Sequence, residues 1–440
     1  MMKRLFLVAA LTGTGHLVNL ISLKVMTNYA NLETIAFIGE LDSLALLIVS
    51  ITAFGLQLSS TREIAVREHD WQRVYYSTQS ARLTMALLLM FLGLSGFLYT
   101  KNYLFFIAPM IALNADYALY GIGKPVLGAM VSFIRVIIPS LTIILGSVYF
   151  LNSLPFFFCL SILVAYFAAG LTVSKILHVN YLVKPKIKSL LEYVKNIKIG
   201  LANLAYFFVG IGIITILSHI NSEVTISVAY MALKLYVIFI GVRRIIVQSF
   251  FKEIKELQQA LKVDFLSMVS GIIFLSAFLF YPEVAISLIF DDSYIEFSTT
   301  FVILGVAAFV SAATSSSGAR LLLHNKDKQF SANFIVGAIV TICSGICFSY
   351  FIADRPSLVV LSCLLGELTI SILNIFSLKE KNFLMDRFKI IYPVVLMALV
   401  FYAIKLGFNE NIWSFLGSLF VFCLFSVIYS AKVMVHKKEI

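Results

Sequence analysis

Stretches of roughly twenty apolar residues recur along the entire chain, separated by short polar turns, and this pattern leaves few folds open. A helix rising 1.5 Å per residue needs about 20 such residues to cross a hydrocarbon core of about 30 Å. Hydrocarbon offers no hydrogen bonds, so each crossing segment must satisfy its backbone internally, and runs of this length do so as helices. The segments fall at 5–25, 35–56, 80–99, 103–120, 127–150, 155–178, 198–219, 225–247, 265–290, 298–322, 330–352, 357–378, 389–407 and 411–435. The expected fold is therefore an all-α polytopic membrane protein with about fourteen transmembrane helices. Twelve is the alternative count, because 103–120 is short and 127–150 carries Arg135. Composition agrees: 60% of residues are hydrophobic and 13% charged, against about 25% charged in soluble domains.

Lys and Arg then orient the spans, since they collect on the cytoplasmic side. With fourteen spans and an internal N-terminus, both termini and the even-numbered loops are cytoplasmic. Of the 34 Lys and Arg, only Lys101, Arg355 and Lys405 fall on the outer side, and Lys24, Arg135 and Lys234 fall within spans. Asp291, Asp292, Glu296, Asp354 and Glu410 occupy outer loops. The net charge of +11 is thus a topology signal. It is scattered over separate loops, which argues against a nucleic-acid partner.

The longest loops are 57–79 and 179–197, both cytoplasmic, and 248–264 reads as an amphipathic helix lying at the membrane surface. No GxxxxGK[ST], HExxH or GxSxG string occurs, and no sizeable loop is present to house a catalytic centre. A transporter is therefore expected rather than an enzyme, with no cofactor, no metal and no built-in ATPase. The five cysteines lie in apolar runs without metal or disulfide spacing, and Cys343 and Cys347 are read as helix-packing residues.

Ionisable residues inside spans cost about 2.5–3.5 kcal/mol on insertion scales and are functional candidates by default. Lys234 lies mid-span, roughly 14 Å deep at 1.5 Å per residue, either lining a cavity or paired with Glu367 of the twelfth span. Arg135 lies near the cytoplasmic end of its span, with Asp116 of the preceding span as the expected partner. Lys24 sits close to the outer end of the first span.

A faint repeat runs through the chain. The second span ends at Gly55 and continues into GLQLSSTREIAVRE; the eighth ends near Gly241 and continues into GVRRIIVQSFFKEIKE. Spans four and five are joined by GIGKPVLG, and spans ten and eleven by LLHNKDKQFSAN. Six spans plus six, with two appended, is a parallel repeat. The expected domains are 1–178, a linker at 179–197, 198–378, and the appended pair at 389–435.

In these features the chain resembles the O-antigen and capsule repeat-unit flippases of the multidrug/oligosaccharidyl-lipid/polysaccharide (MOP) superfamily. The features are the six-plus-six layout, the GLQLSSTREIA segment, the RR-containing segment after the eighth span, and the polar turn before SANFIVGAIV. The resemblance implies two six-helix lobes opening alternately around a central cavity in the bacterial inner membrane. It implies an undecaprenyl-pyrophosphate-linked oligosaccharide as cargo, with membrane lipids and a polysaccharide polymerase or other assembly proteins as partners. It also implies cavity cations on the first and eighth spans, where Lys24 and Lys234 fall. Arg135, Glu367 and Asp116 are further cavity candidates, and Arg62, Arg243 and Arg244 are candidates for a cytoplasmic gate. The alternatives are a lipid II flippase, a cation-coupled drug exporter of the same superfamily, and a membrane-embedded polyprenyl-dependent transferase.

Overall fold

The computed structural model describes residues 2–66, 69–100, 103–250, 253–379, 383–408 and 410–435, and among them there is helix but no strand. The chain divides into two compact units, Met1–Phe207 and Phe208–Ile440.

The first unit contains α1 (Met2–Tyr29), α2 (Leu32–Ala53), α3 (Leu56–Val66), α4 (Trp71–Thr100), α5 (Ala108–Ala112), α6 (Asp116–Gly121), α7 (Pro125–Tyr149), α8 (Leu154–Leu177), α9 (Leu191–Lys195) and most of α10 (Ile197–Val209). The second contains α11 (Ile214–Leu217), α12 (Glu223–Ser249), α13 (Leu257–Phe280), α14 (Pro282–Ile289), α15 (Ser298–Ala313), α16 (Ser317–Leu323), α17 (Asp327–Phe351), α18 (Pro356–Leu378), α19 (Phe383–Phe408) and α20 (Ile412–Val435).

Local chemistry sets the helix starts. Proline stands in the first turn of α7, α8, α14 and α18, where its missing N–H costs nothing. Asn31 and Ser222 cap α2 and α12 by accepting from Thr34 N and Thr225 N. Every expected span is built from these helices. Ten are long and apolar enough to cross a membrane among the described residues, and eleven if α10 and α11 form one span bent at Gly210. The protein is thus a multi-pass all-α membrane protein. The appended helices pack on α13: the Tyr281 hydroxyl reaches Ser418 Oγ at 3.0 Å on α20 and Phe401 O at 3.4 Å on α19.

Three expectations need correction. The loop 57–79 holds a helix, α3, and α4 begins nine residues before its expected span, at Trp71. The 248–264 segment is not one surface helix: α12 runs to Ser249, a 3-10 turn covers Glu253–Lys255, and α13 starts at Leu257. Ile254 and Leu261 of this segment are buried in protein, while Phe251 and Lys252 lie outside the described residues. Cys343 and Cys347 are exposed on α17 rather than packed.

The turns after α6 and α16 close identically. Lys124 N–H donates to Leu119 O, and Lys326 N–H to Leu321 O, both at 2.8 Å and five residues back. The preceding residues, Gly123 (φ 75) and Asn325 (φ 56), take the left-handed conformation that this cap requires.

Candidate functional site

Each unit contains a span whose helix is interrupted, and a cluster of polar side chains lies at each interruption. In the first, the chain leaves α5 at Ala112 and re-enters helix at Asp116. A broken helix exposes the last carbonyls of one piece and the first N–H groups of the next, with partial negative and positive charge respectively. Helix α4 supplies donors to the carbonyls. Arg82 Nη1 donates to Asn114 O, and Gln79 Nε2 to Ala112 O (3.4 Å) and Leu113 O (3.3 Å). Arg82 is 1% exposed, its guanidinium lying 5.7 Å from the centre of the Tyr117 ring.

An acid stands on the N–H side of this break. Asp116, in the first turn of α6, accepts from Arg135 Nη2 at 2.5 Å, from Gln57 Nε2 at 3.2 Å and from Asn114 Nδ2 at 3.3 Å. Arg135 also donates to Ser132 Oγ at 2.9 Å and stacks over Tyr166. The expected Arg135–Asp116 partnership is therefore present, with Asp116 buried and Arg135 half-buried.

In the second unit α15 ends at Ala313 and α16 begins at Ser317. Arg243 of α12 donates to both Ser311 O and Ser311 Oγ, in the last turn of α15. Asp264 of α13, fully buried, accepts from Ser316 N at 2.7 Å, Ser315 Oγ at 2.9 Å and Ser316 Oγ at 2.8 Å. Thr314 Oγ1 meets Ser371 Oγ of α18 at 2.8 Å.

The remaining candidates lie elsewhere. Lys24 on α1 and Lys234 on α12 are both half-buried, and the Lys234 ammonium is 5.9 Å from the centre of the Tyr230 ring. Glu367 on α18 is 2% exposed and accepts from the Tyr236 hydroxyl at 2.6 Å. The structure thus gives Glu367 a tyrosine partner. Among the arginines expected at a gate, Arg243 is committed to α15, whereas Arg62 and Arg244 are exposed. Sequence reasoning missed Arg82 and Asp264. The available signal was a polar pair at i,i+3 on one helix face at the edge of an apolar run, Gln79 with Arg82 and Asp264 with Ser267.

Solved structures share this fold over nearly the full chain. The lipid II flippase MurJ in an inward closed conformation has a TM-score of 0.66 at 17% identity, covering 97% of this chain and 98% of that one. A multidrug resistance MATE family transporter of the MOP superfamily, facing inward, has a TM-score of 0.63 at 13% identity, covering 88% and 98%. The chain has the fold of the MOP superfamily. A MOP transporter from Pyrococcus furiosus, described as having a binding pocket of reversed polarity, is similar at a TM-score of 0.51 and 14% identity, covering 88% and 94%. In sequence, 105 residues are 30% identical to a Shigella dysenteriae protein described as "Putative O-antigen transporter". That match covers 23% of this chain and spans about a quarter (26%) of the relative's own length. No protein-family model matches the chain.

Proposed function

We propose that this MOP-fold protein is a carrier that moves an undecaprenyl-pyrophosphate-linked oligosaccharide, an O-antigen or capsule repeat unit, from the cytoplasmic to the outer leaflet of a bacterial inner membrane by alternating access. The observation that carries the reading is a half-buried lysine inside a helical span of each unit, Lys24 on α1 and Lys234 on α12. A pyrophosphate entering hydrocarbon needs its charge matched, and ammonium groups do so through charge-assisted hydrogen bonds. Glu367 and the Arg135–Asp116 pair would moderate that attraction, so that cargo is released rather than trapped. Arg62 and Arg244 are proposed to meet cargo at the cytoplasmic entrance, and a polysaccharide polymerase or other assembly protein to receive it. The partial match to a described O-antigen transporter supports the cargo class. A proton- or sodium-driven drug exporter would want an acid on the first span, and α1 carries Lys24 without one.

An anion leaving a negative-inside cell is favoured by about 2.3 kcal/mol per charge per 100 mV, which supplies a drive without ATP. Depletion of the protein, followed by mass spectrometry of polyprenyl-linked sugars on the cytoplasmic leaflet, tests the reading. A complete repeat unit should accumulate and be cleared by wild type but not by equally abundant Lys234→Ala. Accumulated lipid II would change the cargo, and heightened drug sensitivity with no accumulated lipid would replace the reading with an exporter.

A further inference from the structure

The 179–197 segment, expected as a linker, is pinned as a strap onto its own unit. Ser80 Oγ donates to Lys184 O at 2.9 Å, and Thr84 Oγ1 both accepts from Lys186 N (3.0 Å) and donates to Lys186 O (3.3 Å). Further along, the Tyr193 hydroxyl donates to Thr52 O at 2.6 Å, at the end of α2. Pro185 holds Lys184 extended, and Lys186 is extended too (φ −138, ψ 124). The strap is therefore fixed to its unit by its backbone at Lys184 and Lys186 and by the buried Tyr193 side chain, while other side chains of the strap stay exposed.

What those side chains present is unusual for a linker. Lys184, Lys186 and Lys188 are all exposed. Between and beside them stand exposed apolar residues, Leu182, Leu191 and Ile187, the last 82% exposed. The acid of the strap, Glu192, is held by Lys195 at 2.9 Å, which leaves the three lysines as net positive charge. Depth is set by the anchors: Ser80 and Thr84 open the apolar run 80–99 of α4, so the strap lies where hydrocarbon gives way to headgroups. Its two ends continue directly from α8 and into α10, both apolar.

We propose that this strap is a docking surface for anionic phospholipid headgroups in the leaflet on the lysine-rich face, with Leu182, Ile187 and Leu191 seated among the upper acyl carbons. Water would leave these apolar side chains unburied, whereas an interface accepts an apolar and a cationic surface together. Charge complementarity selects the anionic headgroup, since each basic residue near such a surface is worth about fivefold in affinity. The ready-made geometry means that binding orders no flexible loop. The proposal is independent of the cargo.

A photoreactive benzoylphenylalanine at Ile187 in the full-length protein tests it, using liposomes of phosphatidylglycerol and phosphatidylcholine in a ratio of about one to four. Phosphatidylglycerol adducts should exceed their bulk share at least about fivefold, the worth of one lysine. The excess should vanish in K184Q/K186Q/K188Q and persist in K184R/K186R/K188R. Because the probe reports on folded, reconstituted protein, α-helical circular dichroism of each variant accompanies the measurement. Adducts at the bulk ratio in wild type would overturn the proposal. So would an excess indifferent to the glutamine substitutions, or protein adducts replacing lipid ones in native membranes.

Discussion

The two broken spans answer the same electrostatic demand with different helices. At each break a cation meets the carbonyl end and an acid meets the N–H end, as helix polarity requires. In the first unit the cation is Arg82 from α4, and the acid, Asp116, belongs to the broken span itself and is shared with Arg135. In the second unit the cation is Arg243 from α12 and the acid is Asp264 from α13, shared with three serine groups. The demand therefore fixes the sign of each charge, while the fold decides which neighbour carries it. The acid of the first break accepts from an arginine, and that of the second from serine N–H and O–H groups. In the first, removing Asp116 or Arg135 strands the charge of the other.

Inverting the signs gives the sharpest way to break this comparison. Asp264→Arg and Arg82→Asp should each cost about 5 kcal/mol or more, by burying an unpaired charge against a like helix end. Neither should yield monodisperse folded protein in detergent, and wild-type yields of either would refute the electrostatic account. Neutralising the charges separates the two breaks. Arg82→Met, which strands Asn114 O, should cost about 3 kcal/mol, and Asp264→Asn about 1–2 kcal/mol, since the amide oxygen still accepts from Ser316 N–H. Thermal unfolding of the purified proteins would rank them.

The turns that follow the breaks should, by contrast, respond alike. Gly123→Ala and Asn325→Ala each force a side chain that avoids left-handed backbone into it, for about 1 kcal/mol apiece. Nothing lies within 4 Å of a Cβ added at Gly123, so its cost is purely conformational, and unequal shifts in unfolding temperature would show that the turns differ in more than their cap.

The smallest effect comes from an exposed version of the Asp264 arrangement. Asp354 accepts from Ser222 N at 2.9 Å, at the start of α12. Partial burial opposes ionisation of Asp354, but the hydrogen bonds from Ser222 and Thr225 outweigh it and hold the carboxyl below its ordinary value. Its folded pKa is depressed, so its contribution is present above the unfolded value and is lost as pH falls through the folded one. Unfolding temperature should fall slightly below about pH 4, and Asp354→Asn should flatten that part of the profile. An equal slope in the variant would assign the acid sensitivity to other carboxylates.

The membrane-spanning segments were legible in sequence because hydrocarbon imposes a length and a composition on anything that crosses it. The Arg135–Asp116 pair was legible too, since adjacent spans joined by a short turn must lie side by side. The breaks at 113–115 and 314–316 were not, because an apolar run looks the same whether or not a neighbour offers donors to its interrupted backbone. The Tyr236–Glu367 contact was not legible either, because depth along a span does not say which side chain of a neighbouring helix reaches it.

The sequence alone determined that this chain is helical and that its helices are long and apolar enough to belong in a membrane. Those properties follow from the solvent, which acts on each segment separately. Tertiary structure decided where the helices break, which charge caps each break, and how 179–197 is pinned to its own unit. Arg82 finds its carbonyl 32 residues away, Asp264 its amide 52 residues away, and Tyr193 its carbonyl 141 residues away. Contacts at such separations depend on how helices pack, and no local pattern encodes them.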